Sequence, residues 1–360
     1  MPASKPNDDF SKVLLNWDRR YNDRRMPWKG ENDPYKIWLS EIILQQTRVE
    51  QGLRYYESFC SSFPSIRELA AAPDDLVFKC WEGLGYYSRC RNLLTTARQI
   101  VRERNGVFPS TYDEIVRLKG IGPYTAAAIA SFAYGLPHAV VDGNVFRVLS
   151  RVFGIRKPVD STPGKRYFNT LAQALLDVRQ PGRYNQALMD FGATVCKPQV
   201  PDCPSCPFQS RCIALQKKQV RNLPVKGKKA TLKKRYLQYL VMEYQGSYAI
   251  RQRVEKDIWQ GLFEFLLLET DVPQTHTSLI QRARTLNWLP AGIRVGTPSI
   301  ITLEQKLSHQ HLCLTFIPIH LKRKPSLPGD VQWVRSSVLG QFAFPRAIRS
   351  YLNRSGTVAE

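Results

Sequence analysis

Apolar residues recur three and four positions apart through the first two hundred residues, and Pro or Gly marks most interruptions. This periodicity predicts helices over Phe10–Tyr21, Pro34–Phe63, Asp74–Tyr87, Cys90–Asn105, Thr111–Lys119, Thr125–Tyr134, Asn144–Phe153 and Gly164–Arg179. The pattern stops near Lys217. From there to Arg235 the chain holds nine Lys or Arg and no acidic residue, which reads as a linker. Beyond it, Tyr239–Tyr244 and Ser247–Arg253 alternate like strands around a Gln245-Gly246 turn, Leu312–Ile319 is a further β-rich run, and Thr277–Asn287 is a helix. The fold expected is therefore multidomain: an all-α domain over residues 1–216, a basic linker over 217–235 and a smaller α/β domain over 236–360.

Charge and composition narrow the function. Lys and Arg number 52 against 30 Asp and Glu, a net +22, so a polyanion partner is expected. With 43% hydrophobic and 11% aromatic residues the chain builds packed cores, which excludes a disordered basic tail. No apolar run reaches the ~18 to 20 residues of a membrane span. Asp8 and Asp9 lie where a secretion signal would be basic and then apolar, so a soluble, intracellular protein without a membrane partner is expected.

Four of the eight cysteines, Cys196, Cys203, Cys206 and Cys212, form C-x6-C-x2-C-x5-C within 17 residues. That spacing suits one tetrahedral zinc or one cubane cluster and does not choose between them. Upstream, Leu118-Lys119-Gly120-Ile121-Gly122-Pro123-Tyr124 joins two helical segments. Gly120 and Gly122 permit close backbone approach, and free N–H groups at the next helix start can hold a phosphate without reading sequence. Two carboxylates stand out. Asp142, in Val141-Asp142-Gly143-Asn144, opens a helix. Glu41 sits among aliphatic residues in Leu39-Ser40-Glu41-Ile42-Ile43-Leu44, where desolvation favours its protonated form.

Together the helix-hairpin-helix, the Gly followed by Asp and the four-cysteine loop resemble the endonuclease III superfamily of DNA base-excision glycosylases, over roughly residues 10–212. Within it, Leu39-Ser40-Glu41 through Gln45-Gln46-Thr47, Gly83-Leu84-Gly85-Tyr86-Tyr87 and Asn185-Gln186-Ala187-Leu188-Met189-Asp190 look like the MutY branch of adenine glycosylases. The resemblance implies one [4Fe-4S] cluster per chain on the four cysteines, and Glu41, Asp142, Tyr124 and Asn144 as catalytic residues. It implies a base pocket lined by Trp28, Leu44 and Asp190, with Gln46 and Tyr86 wedged into the duplex. Endonuclease III enzymes carry a Schiff-base lysine where this chain has Tyr124, which implies a monofunctional glycosylase. The implied substrate is double-stranded DNA carrying adenine opposite 8-oxoguanine or guanine, bound by a monomer in the cytoplasm at the nucleoid.

In the last third, Trp259-Gln260-Gly261-Leu262-Phe263-Glu264-Phe265 resembles a stretch of the family's Nudix-like domain, and Leu307-Ser308-His309 its Phe-Ser-His loop. Gln281-Arg282-Ala283-Arg284 offers no glutamates for Mg²⁺, so this domain is expected to recognise 8-oxoguanine through Ser308 and His309 and to hydrolyse nothing. Two competing readings are a glycosylase-lyase for oxidised pyrimidines and a DNA-binding regulator that would leave Glu41 and Asp142 dispensable.

Overall fold

A computed structural model describes residues 6–227, 232–289 and 300–357. The helices in chain order are α1 (Pro6–Tyr21), α2 (Pro34–Leu44), α3 (Val49–Ser62), α4 (Ile66–Ala71), α5 (Asp74–Cys80), α6 (Ser88–Arg104), α7 (Tyr112–Ile115), α8 (Pro123–Tyr134), α9 (Gly143–Val152), α10 (Thr162–Leu175), α11 (Pro181–Thr194) and α12 (Ile213–Gln216). The strands β1 (Lys233–Tyr244), β2 (Ser247–Gln252), β3 (Phe263–Glu264) and β4 (Leu266–Thr270) follow, then α13 (His276–Thr285), β5 (Ile301–Lys306), β6 (Gln310–His320), β7 (Val331–Arg335) and α14 (Arg346–Arg354). No described helix is long and apolar enough to cross a membrane.

Several expected helices are shorter than the periodicity suggests, and the backbone shows why. The run expected over 34–63 breaks into α2 and α3 at a turn where Thr47 N donates to Leu44 O and Gln46 adopts a φ of 56°. The run over 74–87 ends at Cys80, because Gly83 (φ 89°) and Gly85 (φ 79°) turn the chain in ways a helix cannot follow. The run over 111–119 is helical only for four residues. Thr111 caps it, and Gly120 (φ 79°) closes the hairpin. Helix α11 was not among the expected elements, although Pro181 in its first turn and buried Tyr184, Ala187, Leu188 and Phe191 carry the signal.

The chain forms two compact units, one of residues 6–71 with 92–227 and one of 72–91 with 232–357. In the first, α1, α9, α10 and α11 bury Leu14, Trp17, Val145, Leu149, Phe168, Leu188 and Phe191 in one core. Part of the basic stretch expected as a linker is tied down within this unit: Val159 N donates to Val225 O at 3.0 Å, and Gly227 N donates to the Asp160 carboxylate at 2.8 Å. At its other end, Lys233 to Arg235 are already strand β1. Residues 228–231 of that stretch lie outside those described.

The second unit is a mixed seven-stranded sheet. β1 runs parallel to β6 and antiparallel to β4, β6 pairs antiparallel with β5, and β2 pairs with β3 and β7. Gln245 (φ 49°) and Gly246 (φ 73°) form the tight β1–β2 turn that the sequence indicated. Leu240, Met242, Leu266, Leu279, Ile280 and Ile317 lie in its core. Residues 72–91, which chain order places inside the helical domain, pack in this unit: the Glu82 carboxylate accepts from Arg349 Nε at 2.7 Å and Phe344 N at 3.3 Å.

Candidate active site and cysteine loop

Three elements of the first unit bring two carboxylates to one buried place. Asp33 accepts from Tyr35 N and starts α2, which carries Glu41 inward until the residue is 8% exposed. Burial pushes the Glu41 carboxyl up to about 7. A bond from the Tyr124 hydroxyl pulls it down, and the charge of Asp142 raises it further. Tyr124 is the second residue of α8, so the hairpin turn sets its position; its hydroxyl also lies 3.8 Å from Met189 Sδ.

Asp142 is the N-cap of α9. One carboxylate oxygen accepts from Val145 N at 2.8 Å and the other from Asn144 Nδ2 at 2.7 Å. Burial raises its pKa, while the bonds from Val145 and Asn144 and the nearby Arg147 charge hold the anion. The two acids therefore differ in surroundings. Glu41 is a carboxyl in an apolar setting that retains a proton near neutrality, and Asp142 is a capped carboxylate with several donors.

Sequence reasoning missed the residues that fix Asn144. Arg147 Nη2 donates to Asn144 Oδ1 and to Gly192 O, both at 2.7 Å, and its Nε donates to Cys196 O at 2.7 Å. Gly192 is required because a Cβ there would lie 2.7 Å from Asn144 Cβ. One turn on, Arg151 donates to Lys197 O at 2.7 Å and Pro198 O at 2.9 Å, with Cys196 Sγ at 3.4 Å. Helix α9 thus joins the acid at its first turn to the cysteine loop at its last. The signal was present: Arg147 and Arg151, four apart, occupy the same helix as buried Val145, Val148 and Leu149, where a solvated arginine has no place.

Cys196, Cys203, Cys206 and Cys212 line one small cavity with Arg151, Val152 and Phe191. Burial pushes the thiols of Cys203 and Cys212 up and that of Cys206 to about 12, and neighbouring sulfurs repel each other's charge. Four convergent soft donors lining one cavity fit a metal centre.

The other expected residues divide by unit. In the first, Trp28 stacks edge-on against Tyr56 and borders an open cavity of about 460 Å³ with Lys29, Phe132 and Gln186. Leu44 is half-buried above Gly52, where a Cβ would sit 2.7 Å from it. Asp190 is fully buried and accepts from Arg24 (2.9 Å), Lys29, Asn22 and Gln186 (each 3.0 Å), so it clamps residues 22–29 beside that cavity. Gln46 is exposed at its left-handed turn. Gly120 leaves no room for a Cβ over Asn92, and Gly122 caps α8 without a side chain, in open space. The first-turn N–H groups of α8 have no intrahelical acceptor. In the second unit, Tyr86 is 43% exposed at φ 50°, with the Arg89 guanidinium 5.5 Å from its ring and 5.2 Å from Trp81. Ser308 and His309 are exposed in the β5–β6 turn, with Ser308 Oγ 3.1 Å from His309 Nδ1.

Residues 39–172 match the model of the HhH-GPD superfamily base excision DNA repair proteins, and residues 238–354 match the NUDIX domain. Curated relatives include the adenine DNA glycosylase of Buchnera aphidicola subsp. Schizaphis graminum, 34% identical over 312 residues that make up 86% of each chain. The adenine DNA glycosylase of Mus musculus is 35% identical over a gapped alignment of 383 positions that covers 90% of this chain and 73% of that one. The chain belongs to the adenine DNA glycosylase family. Among solved structures, a thermostable thymine-DNA glycosylase aligns with a TM-score of 0.54 at 28% identity, covering 59% of this chain and 97% of its own. An endonuclease III–DNA complex aligns with a TM-score of 0.51 at 22% identity and 59% coverage, a likeness of fold. Glu41, Tyr124, Asp142 and Asn144 all lie within the segment that matches the HhH-GPD model.

Proposed function

We propose that this glycosylase hydrolyses the N-glycosidic bond of adenine mispaired with 8-oxoguanine, and of adenine opposite guanine more slowly. The observation that carries the reading is the pairing of a desolvated Glu41 carboxyl with a capped Asp142 around Tyr124. Adenine is a poor leaving group until a ring nitrogen is protonated, and the sugar it leaves becomes an oxocarbenium ion. An acid and an anion are both needed.

The base leaves the duplex stack to reach the site. Glu41, protonated near neutral pH, gives its proton to N7 as the bond from C1′ to N9 breaks, and the bonding electrons depart with adenine. Asp142 stabilises the cationic sugar, held by Asn144 and, through it, by Arg147. Water adds to C1′ and its proton passes to the Glu41 carboxylate, which restores the acid. Tyr124 orients Glu41. Because a phenol forms no imine, the enzyme is monofunctional, working as a monomer with every group from one chain. The test is to identify the product: free adenine from an 8-oxoguanine:adenine duplex, with no borohydride-trapped protein–DNA adduct, is expected. A trapped adduct at a level matching base release would establish a lyase instead.

The four cysteines would hold a [4Fe-4S] cluster, which supplies a rigid crosslink through the loop that Arg147 and Arg151 grip. Cys203→Ser is expected to lower iron per chain and to weaken DNA binding together. Stoichiometric zinc without iron in protein purified free of oxygen would overturn this assignment.

Lesion reading belongs to Ser308 and His309 in the second unit, with Tyr86 and Gln46 as wedges. 8-Oxoguanine carries a hydrogen on N7 where guanine has a lone pair, so a serine oxygen can accept from the lesion and not from guanine. Helix α13 has no acidic residue, consistent with a Nudix-like unit that binds without hydrolysis. The double variant Ser308→Ala with His309→Ala is expected to lose ~1 to 3 kcal/mol of discrimination between the two mispairs, while saturated cleavage of the guanine mispair changes little. An unchanged ratio at the same salt would remove the loop from recognition.

A further inference from the structure

Strands β5 and β6 carry a second donor set, far in chemistry from the glycosylase site. Their antiparallel register puts Glu304 directly opposite Cys313 and Lys306 opposite His311. With a period of two, Glu304, His311 and Cys313 therefore share one face of the hairpin, while Leu312, Leu314 and Phe316 on the other face are buried. One ligand atom from each of the three lies within 4.8 Å of the other two, and His311 Nε2 is 3.1 Å from Glu304 Oε2. The His311 side chain is 15% exposed and Cys313 is half-buried, whereas the Glu304 side chain is 70% exposed and free to swing.

We propose that Glu304, His311 and Cys313 form a binding site for a divalent transition-metal ion, zinc being the ion that a thiolate, an imidazole and a carboxylate suit best, with water in the fourth position. Binding releases the Cys313 thiol proton to solvent, so the thiolate and the Glu304 carboxylate together balance the two charges of zinc. Two cations stand nearby in register, Lys306 across from His311 and Lys234 beside it on β1; both are exposed, and their long stems let the ammonium groups stay in water. The three ligands come from both arms of the hairpin whose turn carries Ser308 and His309, so the ion would crosslink those arms. That consequence rests on the proposed lesion-reading role of the turn; the metal site does not.

The test uses full-length, iron-replete protein incubated with zinc chloride and freed of excess by gel filtration, with zinc and iron counted per chain in the absence of DNA. One zinc beyond the iron is expected, lost in Cys313→Ala and in His311→Ala and kept in Thr302→Ala, a residue of the same face outside the donor set. X-ray absorption at the zinc edge of the native protein is expected to show one sulfur and a remainder of nitrogen and oxygen, which reads the site without any variant. No retained zinc, equal zinc in the three variants, or a shell of four sulfurs, which would put the ion in the Cys196 to Cys212 loop, would each overturn the proposal. Because the readout is metal rather than base excision, its failure is separate from a failure of lesion reading.

Discussion

Asp142→Asn is expected to lose ~10³-fold or more in single-turnover adenine release while still binding the mispaired duplex. The isosteric amide can keep one acceptor for Val145 N, so the start of α9 and the Arg147 grip on the cysteine loop persist. What disappears is the negative charge that would face the developing sugar cation. A loss of that size corresponds to ~4 kcal/mol of transition-state stabilisation, the range seen when one oriented electrostatic partner is removed. Gel-shift affinity and quenched single-turnover kinetics on the same preparation separate the two effects. Weakened binding with normal chemistry would instead mark Asp142 as a helix cap alone.

Glu41→Gln is expected to lose ~10² to 10⁴-fold in base release, since an amide cannot deliver the proton, and to gain stability at the same time. The sign follows from linkage. Glu41 has a folded pKa of about 7 against the ordinary 4.5, so the folded state binds more protons between those values and is progressively destabilised as pH rises through that window. At 1.36 kcal/mol for each unit, the neutral amide should relieve about 3 kcal/mol at pH 8 and nothing below pH 4. Denaturant titrations of both proteins at pH 5 and pH 8 check this. An equal difference at the two values would mean that Glu41 is not the strained carboxyl.

Much of this arrangement was legible in the chain because local chemistry dictates it. Asp142 before Gly143 reads as a helix start and is one, and the four cysteines lie close enough in sequence that a single loop brings them together. The Gln245-Gly246 turn and its flanking strands followed from alternation and turn residues. Helix ends were less legible. Periodicity continues through Gln45-Gln46-Thr47, where a positive φ at Gln46 ends the helix, and on to Tyr87, where positive φ at Gly83 and Gly85 stops it; Gln46 and Tyr86, both left-handed, stand exposed at these turns. The support around the site was hidden because it is tertiary: Arg147 reaches Gly192 and Cys196, and Asp190 gathers Asn22, Arg24 and Lys29 from more than 160 residues away. Likewise, nothing in sequence order tells that residues 72–91 pack with the second unit; Glu82 meets Arg349 only once both are folded.

The most direct test of the account is the pH dependence of single-turnover adenine release by the native protein at saturating enzyme, from pH 5.5 to 9. If Glu41 is the proton donor, the rate should fall about tenfold per unit above a midpoint near pH 7, as the carboxyl ionises. A rate that stays flat from pH 6 to pH 9 while adenine is still released would contradict the assignment of Glu41 as the acid.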